Sequence, residues 1–509
     1  IIGELEKCQD AMPSQGYNDG YLSAYPESFF DRVDRRESVW APYYTLHKIM
    51  AGLLDAYTNC GSSTAFDVLN KLAQWLDNRT RKLSVEQMQI SILNEPGGIT
   101  ETLAQLYALT RDEKHLDLLL RFNHELVLNP LANGEDQLDR QHANTQIPKA
   151  TGTALQYEAT GDENSRKIAE FFWETVAFSR SYAIGGNSDD ELFFPIDRFA
   201  QHLSSTSAES CNTYNMLKLT RHIFSWQPST RAMDFYERGL FNHILGSQDP
   251  ETSMMTYFIS HKPGHVKLYN TPENSFWCCT GTGMENHVKY TDTIYAYDDD
   301  SLYINLFIAS ELNWSEKGLI VRQETQFPEE NTTHITINTE QPIALALKIR
   351  YPSWANSLQI KINGQLETID AEAGSYIAID REWQDGDQID VQFQMGLHIE
   401  TLPNEDNIIA FLYGPIVLVG ARGAEDMPDV YLKDARVRLA PINFPQTSPI
   451  PVLTGSRDDL IDHIEAVDGQ PLTFKMNGND SSHDVDLIPF YRLHHQRYTI
   501  YWKVETSRL

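Results

Sequence analysis

Leu53-Leu54-Asp55-Ala56-Tyr57, Leu103-Ala104-Gln105-Leu106-Tyr107 and Thr153-Ala154-Leu155-Gln156-Tyr157 set three tyrosines 50 residues apart. A short polar turn follows each one: Cys60-Gly61-Ser62-Ser63, Thr110-Arg111-Asp112-Glu113 and Thr160-Gly161-Asp162-Glu163. Each turn leads into a second amphipathic segment, such as Ile168 to Val176 with Phe171, Phe172 and Trp173. A period of this length built from helix pairs reads as a helical toroid or solenoid. Tyr214 through Phe224 into Phe235-Tyr236 reads as a fourth copy.

The pattern predicts inner helices near 43–57, 98–108, 149–159, 210–224 and 282–296. Outer helices are expected near 1–10, 64–78, 115–127, 164–178 and 229–246. That makes ten, against twelve for a closed (α/α)6 barrel, so one N-terminal pair is expected to be missing or the ring open. Ile1 in place of Met agrees with an upstream part left out. Near residue 300 the hydrophobic period changes from 3.6 to 2, as in 301–307, 333–338 and 359–363. Asn363-Gly364 and Asp385-Gly386 are turn signals, and 408–419 holds a continuous apolar run expected to be one buried strand. The expected organisation is a helical barrel over 1–299, an antiparallel β-sandwich over 300–425, and a small β module, or a completion of the sandwich, over 426–509.

Composition narrows the function. Hydrophobic residues make up 41% and the net charge is −30, with the acids dispersed along the chain. That charge argues against nucleic acid and anionic membrane surfaces as partners. No 18-residue apolar stretch is present, so no transmembrane helix is expected, and neither is a signal peptide. The sequence sets no oligomeric state.

The chain has only five cysteines, too few for a disulfide scaffold. Three of them sit in Ala208-Glu209-Ser210-Cys211-Asn212 and Phe276-Trp277-Cys278-Cys279-Thr280-Gly281. Glu209, Cys211, Cys278 and Cys279 make a full tetrahedral donor set for zinc. Their spacing matches no zinc ribbon, so buried inert thiols or a vicinal disulfide are the alternatives. Cys8 and Cys60 read as inert core thiols. The helical rhythm breaks over 180–209 and again over 247–281. Loops from outer to inner helices gather at one rim of a toroid, so both breaks, and both halves of the donor set, are expected there. Glu191, beside Phe193-Phe194, suits a general acid with a raised pKa, or is a solvated loop carboxylate. Tyr44, His47, His142 and Trp277 are candidates for contact with a polar ligand, or are core groups.

These motifs are recognisable. Ala208-Glu209-Ser210-Cys211-Asn212-Thr213-Tyr214 and Trp277-Cys278-Cys279-Thr280-Gly281-Thr282-Gly283 resemble the β-L-arabinofuranosidases of glycoside hydrolase families 127 and 146, most closely 146. So do Gly185-Gly186-Asn187-Ser188, His142-Ala143-Asn144-Thr145-Gln146 and Pro42-Tyr43-Tyr44-Thr45-Leu46-His47. The resemblance implies an (α/α)6 barrel followed by β-sandwich domains. It implies zinc on Glu209, Cys211, Cys278 and Cys279, with Cys278 as nucleophile and Glu191 as acid/base. It also implies His47 and His142 at the sugar. The implied reaction is retaining release of β-L-arabinofuranose from plant cell-wall glycans or glycoproteins. Within the family the alternative is release of aceric acid. Outside it stand a polysaccharide lyase and a non-catalytic carbohydrate-binding protein with structural zinc. The expected location is periplasmic or secreted, with the cytoplasm as the alternative.

Overall fold

The computed structural model describes residues 1–425, 427, 451–477 and 484–505. The backbone divides into two compact units, Ile1–Thr175 and Val176–Leu509.

The first unit is helical, and its repeat has a local cause. Helix Pro42–Cys60 ends on Gly61 and Ala143–Thr160 on Gly161, both left-handed, while Ile99–Thr110 ends on left-handed Arg111. The next residue then caps the following helix. Ser62 Oγ accepts from the Ala65 amide, Asp112 from Lys114, and Asp162 from Ser165. Each polar turn is thus a stop signal fused to a start signal. The repeated tyrosines close the same joint: Tyr57 stacks on Phe66, Arg111 lies over Tyr107 and Arg166 over Tyr157. Pro42–Cys60 packs on Ser63–Thr80 and on Ile99–Thr110, which packs in turn on Ala143–Thr160. Tyr43, Leu46, Met50, Leu69, Leu72 and Trp75 lie in the shared core.

Several expectations shift here. The expected 115–127 helix is two helices, Glu113–Arg121 and Glu125–Ala132, broken at His124. Cys8 and Cys60 are exposed rather than buried. On the first helix Gln9 faces inward instead of Cys8, donating from Nε2 to the carbonyls of Gly20 and Val68. Cys60 is the last residue of its helix.

Helix Glu163–Ser179 leads into the second unit. This unit holds helices Ser210–Trp226, Thr230–Gly239 and Cys278–Lys289. Tyr214 stands in the first turns of its helix, not near the end as Tyr57 does. The fourth copy is therefore out of register with the first three, and the break before it is longer than the tyrosine spacing suggested. The predicted 282–296 helix starts earlier, on Cys278, and gives way to strand Tyr295–Tyr297.

Two sheets follow and share one core. One pairs Tyr295–Tyr297, Ser301–Ile304, Ile343–Tyr351 and Ser375–Trp383 in that order. The other has six strands between Ser310 and Gln394. Leu302, Leu347 and Ile349 of the first meet Val321, Ile337, Ile360 and Val391 of the second, which is a sandwich interior. Pairing is antiparallel except Ser301–Ile304 on Ile343–Tyr351. From Leu397 onward the strands join a separate nine-stranded sheet with those of the C-terminal region. The change of sheet thus falls before Leu397, upstream of residue 425. The apolar run at 408–419 is a hairpin, Glu405–Tyr413 and Ile416–Ala421, because left-handed Gly414 and Pro415 turn the chain. Of the predicted tail module, residues 426, 428–450, 478–483 and 506–509 lie outside the described residues.

Candidate active site

Two helix N-termini converge in the second unit. Glu209 immediately precedes helix Ser210–Trp226, and Cys211 is the helix's second residue. Cys278 and Cys279 are the first two residues of Cys278–Lys289. Both ends carry a partial positive charge that favours anionic side chains. An irregular chain segment joins them. The Ser210 amide donates to the Tyr257 carbonyl at 2.9 Å, and Ser210 Oγ to the Thr256 carbonyl at 2.8 Å. Asn270 then donates its amide to the Met255 carbonyl at 2.7 Å and its Nδ2 to Thr280 Oγ1 at 2.7 Å. Gly283 lets the cysteine helix lie against this segment: a Cβ there would come 2.3 Å from Met255 Cγ.

The donor atoms of Glu209, Cys211, Cys278 and Cys279 all lie within 4.8 Å of one another. Glu209 Oε1 is 3.7 Å from Cys278 Sγ and 3.6 Å from Cys279 Sγ. Cys211 Sγ is 3.2 Å from Cys279 Sγ and 3.0 Å from Thr282 Oγ1. Tetrahedral zinc with bonds of about 2.3 Å separates its donors by about 3.8 Å. The set therefore fits a metal ion in chemistry and in spacing. Glu209 is fully buried, Cys211 and Cys279 are nearly so, and Cys278 is half-buried. Burial pushes the Cys211 and Cys279 thiols well up. Hydrogen bonds from Cys211 and Cys279 hold Cys278 far below the usual thiol range. Cys278 is also the most accessible of the three.

Glu191 stands in a loop, in the left-handed region at φ 66°. Its Oε1 accepts a hydrogen bond from the Tyr257 hydroxyl, which lies 3.7 Å from Cys278 Sγ. Burial, then the Glu209 charge, pushes Tyr257 far above an ordinary phenol, so it remains a donor. Tyr257 thereby links Glu191 to Cys278. Sequence reading missed it, because it stands in an irregular segment with no periodic signal. Trp277 caps the cysteine helix and sets its ring edge-to-face on Tyr257, 6.0 Å between centroids. In the first unit Tyr44 and His47 meet edge-to-face at 5.2 Å, with His47 buried. His142 caps Ala143–Thr160, with Nδ1 3.3 Å from Thr145 Oγ1.

Family models and solved structures match most of the chain. The family model described as "Beta-L-arabinofuranosidase, GH127 catalytic domain" matches residues 1–292. The chain belongs to this family. The GH127 middle domain matches residues 301–395, and a domain of unknown function matches 398–504. A solved GH127 beta-arabinofuranosidase has TM-score 0.71 at 18% identity, with 99% of this chain and 84% of that chain covered. A GH127 beta-L-arabinofuranosidase from Geobacillus stearothermophilus T6 has TM-score 0.67 at 18% identity, covering 99% and 87%. A structure titled "Glycoside hydrolase" has TM-score 0.71 at 17% identity, covering 99% and 87%. No curated protein matches. The fold is an α-helical barrel followed by β domains, and the GH127 chain is a glycoside hydrolase acting on carbohydrate. No helix among the described residues is long and apolar enough to cross a membrane.

Proposed function

We propose that this glycoside hydrolase is a retaining, exo-acting β-L-arabinofuranosidase with Cys278 as nucleophile and Glu191 as acid/base. The substrate would be a plant cell-wall glycan or glycoprotein. The observation that carries the reading is the convergence of Glu209 and three thiols beside the Tyr257–Glu191 hydrogen bond. Cys278 is favoured over Cys279 because it is the more exposed of the two and its hydrogen bonds favour the thiolate, whereas burial disfavours it at Cys279.

In this reading the Cys278 thiolate attacks the anomeric carbon while Glu191 gives its proton to the departing oxygen. The glycosidic C–O bond breaks as a C–S bond forms. Glu191 then takes a proton from water, whose oxygen displaces the sulfur with a second inversion. Tyr257 orients the Glu191 carboxyl toward this chemistry. When bound on Glu209, Cys211, Cys278 and Cys279, zinc would supply Lewis acidity that keeps the sulfurs deprotonated at neutral pH. His47 and His142 are proposed as sugar contacts on the family resemblance, and Tyr44 and Trp277 as aromatic candidates on residue type, all to be read as KM effects of their variants.

One rival has an observation behind it. Four protein donors complete a tetrahedron, as in structural metal sites. The test is hydrolysis of para-nitrophenyl β-L-arabinofuranoside by the wild type and Glu191→Gln, with zinc measured on both. A kcat lower by about 10²-fold or more is expected in a zinc-retaining variant, because water attack on the Cys278 intermediate needs Glu191 as base even where nitrophenolate leaves unaided. A folded, zinc-loaded wild type without turnover would redirect the assignment to another sugar, aceric acid first, or to structural zinc. A protein without zinc would undo the metal assignment.

A further inference from the structure

Residues 189–192 form a tight reverse turn. Asp189 and Leu192 exchange both backbone hydrogen bonds at 3.0 Å. The two corner residues, Asp190 and Glu191, sit at φ 49° and 66°. Such a turn favours Asn-Gly, and an ordinary side chain at either corner is strained. A glutamate at the second corner therefore needs the surrounding structure to hold it.

The Asp189 side chain provides that hold. Its carboxylate accepts from Ser204 Oγ, from Thr206 Oγ1 at 3.4 Å and from His202 Nδ1 at 2.8 Å. The donors are themselves anchored. His202 stacks on Phe194 with 4.1 Å between centroids, and its carbonyl accepts from the Tyr182 hydroxyl at 2.8 Å. Two backbone bonds of 3.0 Å tie the same turn to the segment leading to Glu209: the Asp190 amide to the Thr206 carbonyl, and the Ala208 amide to the Ser188 carbonyl. The turn carrying Glu191 and the segment carrying Glu209 are thus pinned together through Asp189.

We infer that Asp189 is a positioning residue that holds the Glu191 carboxyl in place for proton donation to the leaving group. This rests on Glu191 being the acid/base. A merely structural role would slow all substrates alike. A positioning role is felt most where the leaving oxygen needs a proton.

The experiment compares kcat/KM for the methyl and para-nitrophenyl β-L-arabinofuranosides, with zinc content and melting temperature measured on each variant. The alkoxide leaving group needs the acid, and nitrophenolate departs largely without it. Asp189→Ala should lose about 10²-fold or more on the methyl glycoside and less than about 10-fold on the nitrophenyl one. Asp189→Asn keeps an acceptor oxygen and should recover most of the methyl activity. Ser204→Ala, which removes one donor, should show the same selective loss at smaller size and decides the matter if Asp189→Ala does not fold. Equal losses on both substrates, or none on either, overturn the inference. Glu191→Gln is the reference: if it loses both activities equally, the acid assignment itself fails, and Asp189 with it. If Glu191→Gln is selective while the Asp189 and Ser204 variants are not, only the positioning role fails.

Discussion

Two buried clusters of ionisable groups in the second unit are built on opposite principles. Around Arg350 one cation stands between two carboxylates. The fully buried guanidinium donates to Asp234 at 2.6 Å and to Glu237, and Trp354 Nε1 donates to the other Glu237 oxygen at 2.7 Å. The Ser353 amide takes the second oxygen of Asp234. This cluster joins helix Thr230–Gly239 to the sandwich, and its carboxylates meet a cation from the same chain. The second cluster, Glu209 with Cys211, Cys278 and Cys279, gathers four acids. Packed together out of water, they are costly unless protonated or bound to a cation. A cluster that closes on itself serves the fold. One that gathers charge of a single sign is made to take something from outside.

The sharpest way to break this contrast is to remove Cys278. Cys278→Ala should lower kcat by about 10⁴-fold or more. Steady-state kinetics check this, and a variant keeping a tenth of wild-type activity would return the cluster to a structural role. Arg350→Met attacks the other cluster and leaves two carboxylates without their partner. It should cost about 3–5 kcal/mol in urea unfolding. Arg350→Met with Glu237→Gln should regain part of that, and a single-variant loss below about 1 kcal/mol would show that the pair is not needed for the fold.

A third case sharpens the comparison from the cationic side. Lys149 is buried in the first unit. Its Nζ lies 2.8 Å from His124 Nδ1 and 3.0 Å from Gln146 Oε1. Burial, only partly offset by the charge of Glu95, brings it down to about 7. Above pH 7 the unfolded chain then holds this proton more tightly than the native one does. Native stability should therefore rise with pH from about 7 toward the ordinary lysine value, by up to about 1.4 kcal/mol per unit. Lys149→Met should lack that rise. Parallel slopes for the two proteins in urea titrations at pH 7 and 9 would mean that Lys149 keeps its charge.

Much of the architecture was legible because it is written locally. The turns at Cys60–Ser63, Thr110–Glu113 and Thr160–Glu163 each carry their own stop and cap. The change of period near residue 300 marks the passage from helix to strand. The four donors were legible as residue types, since cysteines are few. What escaped was non-local. Tyr214 shares its residue type with the repeat tyrosines, but its partner is Glu285, at 2.5 Å. Cys8 lies one position from the buried face that Gln9 occupies. Tyr257 gains its meaning only from a hydrogen bond to a residue far upstream.

The sequence by itself determined the helix pairs, the strand region and a donor set of one glutamate and three cysteines. Hydrophobic period, capping residues and sulfur chemistry act over a few neighbouring positions. Only the tertiary structure decided that residues 209–211 and 278–279 share one site, that Cys278 is the most accessible of its thiols, and that Tyr257 reaches both it and Glu191. Those facts depend on distance and burial, and both are set by how segments distant in the chain pack together.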